Sequence, residues 1–378
     1  MLFFVSFNLI IPELPDYLSS LGGEDYKGYI ISLFTVTAGL SRPFSGKLAD
    51  TIGRIPVMVF GALVCFFASI MYPFVSSVFA FLLLRFLHGM STGFKPTGTS
   101  AYIADVVPAT KRGEAMGIIG LFNSLGMAMG PFLGSKIAAW YGLDILFYTS
   151  ATMGILSVIV LAGMKETLPN KQRFKPKQLL IKPKEIFETS VIPPAVTILL
   201  AAFSFGIVLT IIPDFSVHIG LSSENKGLFF SVFTISSLAI RFLAGKVSDK
   251  YGRISVLKVS SSSLAIAMFF LGTASNPLEL TLAAAFFGVA VGMNSPTVFA
   301  WTIDLSHDER RGRGMATLYI ALEIGIGLGA FLSAEIYNNV AANFKWAFWI
   351  GAIAAALAFV YLLYFDYFHS RRKKAPIN

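Results

Sequence analysis

The sequence predicts an all-α integral membrane protein with 12 transmembrane helices in two six-helix, pseudo-symmetric halves. Three observations carry this reading. First, 55% of the 378 residues are hydrophobic and only 13% are charged, whereas soluble domains carry about 25% charge. Second, polar turns divide the chain into twelve apolar stretches, each close to the ~20 residues a spanning helix needs. Third, Gly46-Lys47-Leu48-Ala49-Asp50-Thr51-Ile52-Gly53-Arg54 returns 199 residues later as Gly245-Lys246-Val247-Ser248-Asp249-Lys250-Tyr251-Gly252-Arg253. The same offset matches Ser32 to Val36 with Ser231 to Ile235, Arg42 with Arg241, Gly89 and Gly93 with Gly288 and Gly292, Asp105 with Asp304, and Arg112-Gly113 with Arg311-Gly312. With a two-residue slip, Ile10-Ile11-Pro12-Glu13 answers Ile211-Ile212-Pro213-Asp214. Parallel repeats of this length point to a transporter built from two halves.

Taken in order, the spans fall at 1–20, 28–48, 55–75, 78–104, 114–140 and 146–164, then at 194–218, 227–247, 254–274, 279–303, 314–338 and 344–368. The first half is thus 1–164 and the second 194–370. Between them, 165–193 holds seven Lys or Arg and four Pro, a basic cytoplasmic linker with room for a short surface helix. Residues 371–378 form a basic tail. Met1 is followed directly by apolar residues, so no cleavable signal peptide is read here. A helix inserted from residue 1 is unusual, and a short basic start ahead of it is expected in the native chain.

Orientation follows from the cations. With a cytoplasmic amino terminus, 22 of the 30 Lys and Arg fall in cytoplasmic loops and tail, five in spans, and only Lys27, Lys226 and Lys345 outside. The positive-inside rule places both termini in the cytoplasm. The protein is expected to be multi-pass in the cell's inner (plasma) membrane. The net charge of +9 is a topological signal, and no nucleic-acid partner is expected.

These residues resemble the major facilitator superfamily over essentially the whole chain. The repeated turn is similar to that family's G-x-L-x-D-x-x-G-R signature between helices 2 and 3, with its echo between helices 8 and 9. The resemblance implies a conformational latch of Gly46, Asp50, Gly53, Arg54 and Asp105, with Gly245, Asp249, Gly252, Arg253 and Asp304 as the second set. An Asp favours a helix amino terminus and an Arg bridges two carboxylates, so such pairs suit a contact that breaks when two halves rock. Gly126, Gly130, Pro131 and Gly134 in span 5 resemble the exporter motif G-x-x-x-G-P-x-x-G-G of the 12-helix drug/proton antiporters. Ser135 replaces its last glycine, and close helix packing is the alternative reading. Arg85 and Gly89 resemble the span 4 motif R-x-x-x-G linked to proton coupling, with His88 where the family often has Gln.

Charges inside spans are costly, about 2.5 to 3.5 kcal/mol each at the bilayer centre on the insertion scale, so each requires a role. Glu13 lies between Pro12 and Pro15, and Asp214 follows Pro213. By resemblance, spans 1, 4, 7 and 10 line the cavity and place both carboxylates there. Solvation at the outer mouth is the alternative for Glu13 and Asp214. A carboxylate that alternates between a buried, unpaired setting and a nearby cation can carry a proton, and Arg85 is the first partner read for Glu13. Lys95 and Glu323 lie at similar depth. Lys95 is read as a contact for an anionic substrate group or as the partner of Glu323, with snorkelling toward the cytoplasm as the alternative. Arg42 and Arg241 are read as structural, and Lys136 receives no role.

Cys65 is the lone cysteine and lies in an apolar stretch, so it reads as a core residue. The sequence contains no G-x-x-x-x-G-K-S/T loop, no His/Cys cluster with metal-ligand spacing and no nucleophile-base constellation. Neither an enzyme nor a bound cofactor or metal is expected. The expected partners are a small-molecule substrate, protons and the lipid bilayer, with the chain monomeric. The expected function is proton-coupled export of small amphipathic compounds by alternating access. The alternatives are proton symport or facilitated uptake of a small, anionic metabolite, and lipid translocation.

Overall fold

The computed structural model describes residues 1–108, 112–181, 187–306 and 311–374, and among them there is no strand. Thirteen α-helices follow one another. They are α1 (Leu2–Ile10), α2 (Leu14–Ser20), α3 (Lys27–Thr51), α4 (Arg54–Met71), α5 (Val78–Val106), α6 (Arg112–Tyr141) and α7 (Leu143–Ala162), then α8 (Ile192–His218), α9 (Leu228–Tyr251), α10 (Arg253–Thr273), α11 (Pro277–Leu305), α12 (Arg311–Tyr337) and α13 (Phe344–Lys374). The stretch 1–20 is not one continuous helix. Ile11–Glu13 forms a 3-10 turn between α1 and α2, because Pro12 and Pro15 lack N–H donors and their rings crowd the preceding carbonyls.

Eight helices among the described residues are long and apolar enough to cross a membrane. Helices α3 and α5 match them in length but are more polar, because α3 contains Arg42 and α5 contains Arg85, His88 and Lys95. Three of these four side chains are at least nine-tenths buried against neighbouring helices. The described residues of the basic linker, 163–181 and 187–191, are irregular apart from short 3-10 turns at Pro176–Leu179 and Thr189–Val191.

Local signals repeat as the sequence does. Ser77 caps α5 through the Ala80 N–H, and its repeat mate Asn276 caps α11 through the Glu279 N–H. Gly53 (φ 124°) and Gly252 (φ 89°) stand at the starts of α4 and α10, backbone conformations that a Cβ disfavours. A Cβ at Gly53 would also lie 2.4 Å from Glu166 Oε2.

The spans pack through small residues. A Cβ at Gly134 of α6 would lie 1.9 Å from the Leu9 carbonyl oxygen of α1, and one at Gly130 would lie 2.6 Å from Asn8 Cβ. Across the repeat, Gly329 of α12 faces the Phe203 carbonyl of α8 at 2.0 Å by the same measure, and Gly325 faces that of Leu199 at 2.3 Å. Close backbone approach takes the place of a hydrophobic driving force, which is weak between helices in lipid. One apolar core joins Phe229, Phe233, Met268, Phe287 and Phe348; another joins Leu9, Leu14, Tyr72, Phe81 and Phe147.

Candidate substrate and proton-coupling site

The bundle has a near end, with the turns at Gly53 and Gly252 and the described linker residues 163–181 and 187–191, and a far end, with the turns at 21–26, Gly142, 219–227 and 338–343. At the near end the repeated turns build two similar clusters. Arg54 Nη1 lies 2.6 Å from Asp50 Oδ1 and its Nε 3.0 Å from Asp105 Oδ2. Arg253 bonds Asp249 through Nη1 and Asp304 through Nε at 2.9 Å. Asp50 and Asp249 remain 72% and 68% exposed, and each arginine joins the acid of its own turn to one 51 positions further along the chain. Gly46 and Gly245 meet nothing within 4 Å of an added Cβ. Close approach is therefore not what these two glycines provide here.

Sequence reasoning missed Glu166 in this cluster. Its carboxylate accepts the backbone N–H groups of Arg54 and Ile55, each at 3.0 Å, which caps α4, and also those of Thr167 and Leu168. Thr167 Oγ1 donates to Asp105 Oδ2 at 2.7 Å. Burial pushes the Glu166 carboxyl upward, but the N–H donors of Leu168, Arg54, Ile55 and Thr167 outweigh it and hold the group below the usual carboxylate range. A gap of 112 residues separates the cap from its helix, beyond the reach of a local motif.

The far end is tied by ion pairs between helices distant in sequence. Glu13 does not meet Arg85. Lys226 Nζ instead lies 3.3 Å from Glu13 Oε2 and bonds Asp16 as well. Asp214 Oδ2 lies 2.6 Å from Lys27 Nζ. Glu13 is 7% exposed, which removes the fully solvated alternative for it. Lys27 and Lys226 are repeat mates, and so are Glu13 and Asp214, so the two pairs cross. The repeat arithmetic held this signal, but both lysines read only as loop cations. Backbones close beside them: Gly28 meets Phe331 and Ala334 on α12, and its mate Gly227 meets Pro131 and Phe132 on α6.

At mid-depth, Glu323 of α12 pairs with Arg42 of α3, not with Lys95. Arg42 Nη2 lies 2.9 Å from Glu323 Oε1, both side chains are 9% exposed, and the guanidinium sits 4.2 Å from the Tyr319 ring centre. Arg42, read as structural, thus forms an ion pair with a candidate site residue. Lys95 Nζ lies 5.1 Å from the Phe3 ring centre, with no carboxylate in ion-pair range among the described residues. Arg85, 1% exposed, donates to the Ile30 carbonyl at 2.9 Å and to Tyr72 Oη at 3.2 Å, over the Phe34 ring. His88 links Tyr72 to Cys65 through contacts of 3.3 and 3.4 Å. Lys136 stands near the rings of Phe132 and Trp140, an anchor of the kind favoured at a membrane interface.

The Major Facilitator Superfamily model matches the chain twice, over residues 1–222 and 194–378. The multi-drug resistance efflux pump PmrA of Streptococcus pneumoniae is 31% identical over 78% of this chain and 76% of that protein. The multidrug resistance protein MdtG of Escherichia fergusonii is 27% identical over 98% of this chain and 92% of that protein. Among solved structures, the human organic anion transporter MFSD10 superposes with a TM-score of 0.75 at 20% identity, covering 96% of each chain. The D-xylose-proton symporter gives 0.75 at 18% identity, over 96% of this chain and 94% of that one. These matches, the duplicated turn and the helical bundle together make this chain a member of the Major Facilitator Superfamily, a transporter and not an enzyme.

Proposed function

We propose that the protein is a proton-coupled exporter of small amphipathic compounds, working by alternating access in the inner membrane. In this reading α1 and α2 are one proline-broken span. The helices then count as twelve spans in two halves, 1–164 and 194–370, joined by the 165–193 linker, with the near end and both termini in the cytoplasm. The observation that carries the reading is the crossed far-end pairing of Glu13 with Lys226 and Lys27 with Asp214, alongside near-end clusters in which each arginine bonds two acids of its own repeat. A transporter closed to the outside and released at its cytoplasmic latch has this arrangement. The relative named as a multi-drug resistance efflux pump favours export.

The buried Arg42–Glu323 pair supports proton coupling. With the far end closed, the guanidinium 2.9 Å from Glu323 compensates the carboxylate. When the halves rock and the pair parts, a carboxylate left alone within the bilayer takes up a proton. Uptake in the outward state and release in the inward state is antiport. Arg85, Lys95, Glu13 and Asp214 complete the set of groups through which substrate and protons act. In vesicles reconstituted with the protein, collapsing the proton gradient abolishes substrate transport; transport that survives an uncoupler overturns the coupling.

A further inference from the structure

The duplication supplies an internal control. Under the 199-residue offset, Arg42, Tyr319 and Glu323 correspond to Arg241, Gly120 and Ser124. Helices α3 and α12 pack together, and α6 packs on α9 in the same manner. On the first side the three residues form a closed set, with the Arg42 guanidinium held between the Glu323 carboxylate and the Tyr319 ring. On the second side the arginine is kept and both partners are gone.

Arg241 Nη1 reaches only Ser124 Oγ, at 3.3 Å; its buried Nε, like that of Arg42, has no hydrogen-bond partner, so what separates the two arginines is the carboxylate and the ring that only Arg42 has. No carboxylate lies in ion-pair range of it among the described residues. A Cβ placed on Gly120 would meet nothing within 4 Å except that Nη1, at 3.6 Å. Where one interface holds a phenol ring and a carboxylate arm, the other holds a hydrogen atom and a hydroxymethyl group beside a retained cation. Arg241 lies ten residues from the end of α9, roughly 15 Å from the near end at about 1.5 Å per residue. A cation at that depth is costly unless water or an anion compensates it, and a planar guanidinium fits a carboxylate in bidentate fashion.

We infer that Arg241, Ser124 and Gly120 form a recognition site for an aromatic acid. The acid's carboxylate stands opposite Arg241 as Glu323 stands opposite Arg42, and its ring occupies the place that Tyr319 takes on the other side. The inference rests on the reading of the protein as a carrier of small amphipathic compounds, and it names one class of them.

The test is equilibrium binding of tritiated 2-naphthoate and 2-naphthamide to the purified full chain in phosphatidylcholine nanodiscs. The wild-type protein is expected to bind naphthoate at least tenfold more tightly than the amide. Arg241→Gln equalises the two. Ser124→Glu supplies the missing carboxylate internally, so it loses naphthoate at least tenfold while its melting temperature rises. A preference that persists in both variants overturns the site, as does equal or absent binding of the two probes to the wild type. Displacement of naphthoate by phosphatidylglycerol in the disc assigns the anion to a lipid headgroup and overturns the aromatic acid. Flux in sealed vesicles is read separately. A naphthoate preference without gradient-driven flux keeps the site and removes the transport reading, whereas gradient-driven flux of a neutral amphiphile without that preference does the reverse.

Discussion

Arg42 and Glu323 show how much a single contact carries when charge is buried. Removing one member of such a pair costs about 3 to 5 kcal/mol, because the other is left uncompensated. Glu323→Gln is therefore expected to lower the melting temperature sharply, and the Arg42→Gln/Glu323→Gln double variant to recover most of that loss; thermal denaturation of the purified protein reads both. The double variant remains inactive in proton-driven transport, which separates the chemistry from the fold. At the surface, Glu166 gives a pH signature. Its carboxyl is held below the usual range, so its stabilisation is present above the unfolded carboxyl pKa and disappears as pH falls through the folded value. Melting temperatures of wild type and Glu166→Gln should differ at neutral pH and converge in acid. The sequence singled out Glu13, Arg85, Lys95, Asp214 and Glu323 because a charge in an apolar span stands out. It did not reveal their partners, which lie 187 to 281 positions away along the chain where they form ion pairs.

Elements were more legible than contacts. Helix extents followed from apolar stretches, and the turns at Gly53 and Gly252 from their polar residues. The break at Ile11–Glu13 was present in the prolines flanking Glu13, but the span read as one unit because its hydrophobicity is unbroken. Glycines divide into two kinds that the sequence alone does not distinguish. Gly134→Ala forces α6 off α1, since its Cβ would fall 1.9 Å from a backbone oxygen, and overpacking of this kind costs about 1 to 3 kcal/mol. Gly46→Ala meets nothing and gains up to about 1 kcal/mol of helix propensity. Melting of the two variants is expected to move in opposite directions. A loss of transport in Gly46→Ala without loss of stability would show that the turn approaches another helix in a second state.

At the scale of the whole molecule, the alternating access we propose makes the far-end pairs the contacts that set the balance between states. With Lys27→Gln and Lys226→Gln combined, the far end should open, and spin labels at Ser20 and Ser222, both exposed, should report longer and broader distances by double electron–electron resonance. An unchanged distribution would show that the packing of Gly28 and Gly227 closes that end without the ions. The duplication of the chain was visible in the repeated turn. Its crossed connectivity was not, because a repeat relates residues to their mates and says nothing of which copy each one touches.

That crossing gives each half the same two handles, one acid and one amine, offered to the other half in reverse. Two identical six-helix units would make both contacts at once about a twofold axis, so in a homodimer every substitution would be felt twice. Fusion into one chain removes that constraint. The far end makes both contacts, while the central arginines differ, Arg42 facing Glu323 and Arg241 facing Ser124. A tandem gene can thus spend one copy of a joint on closure and leave its twin free for cargo.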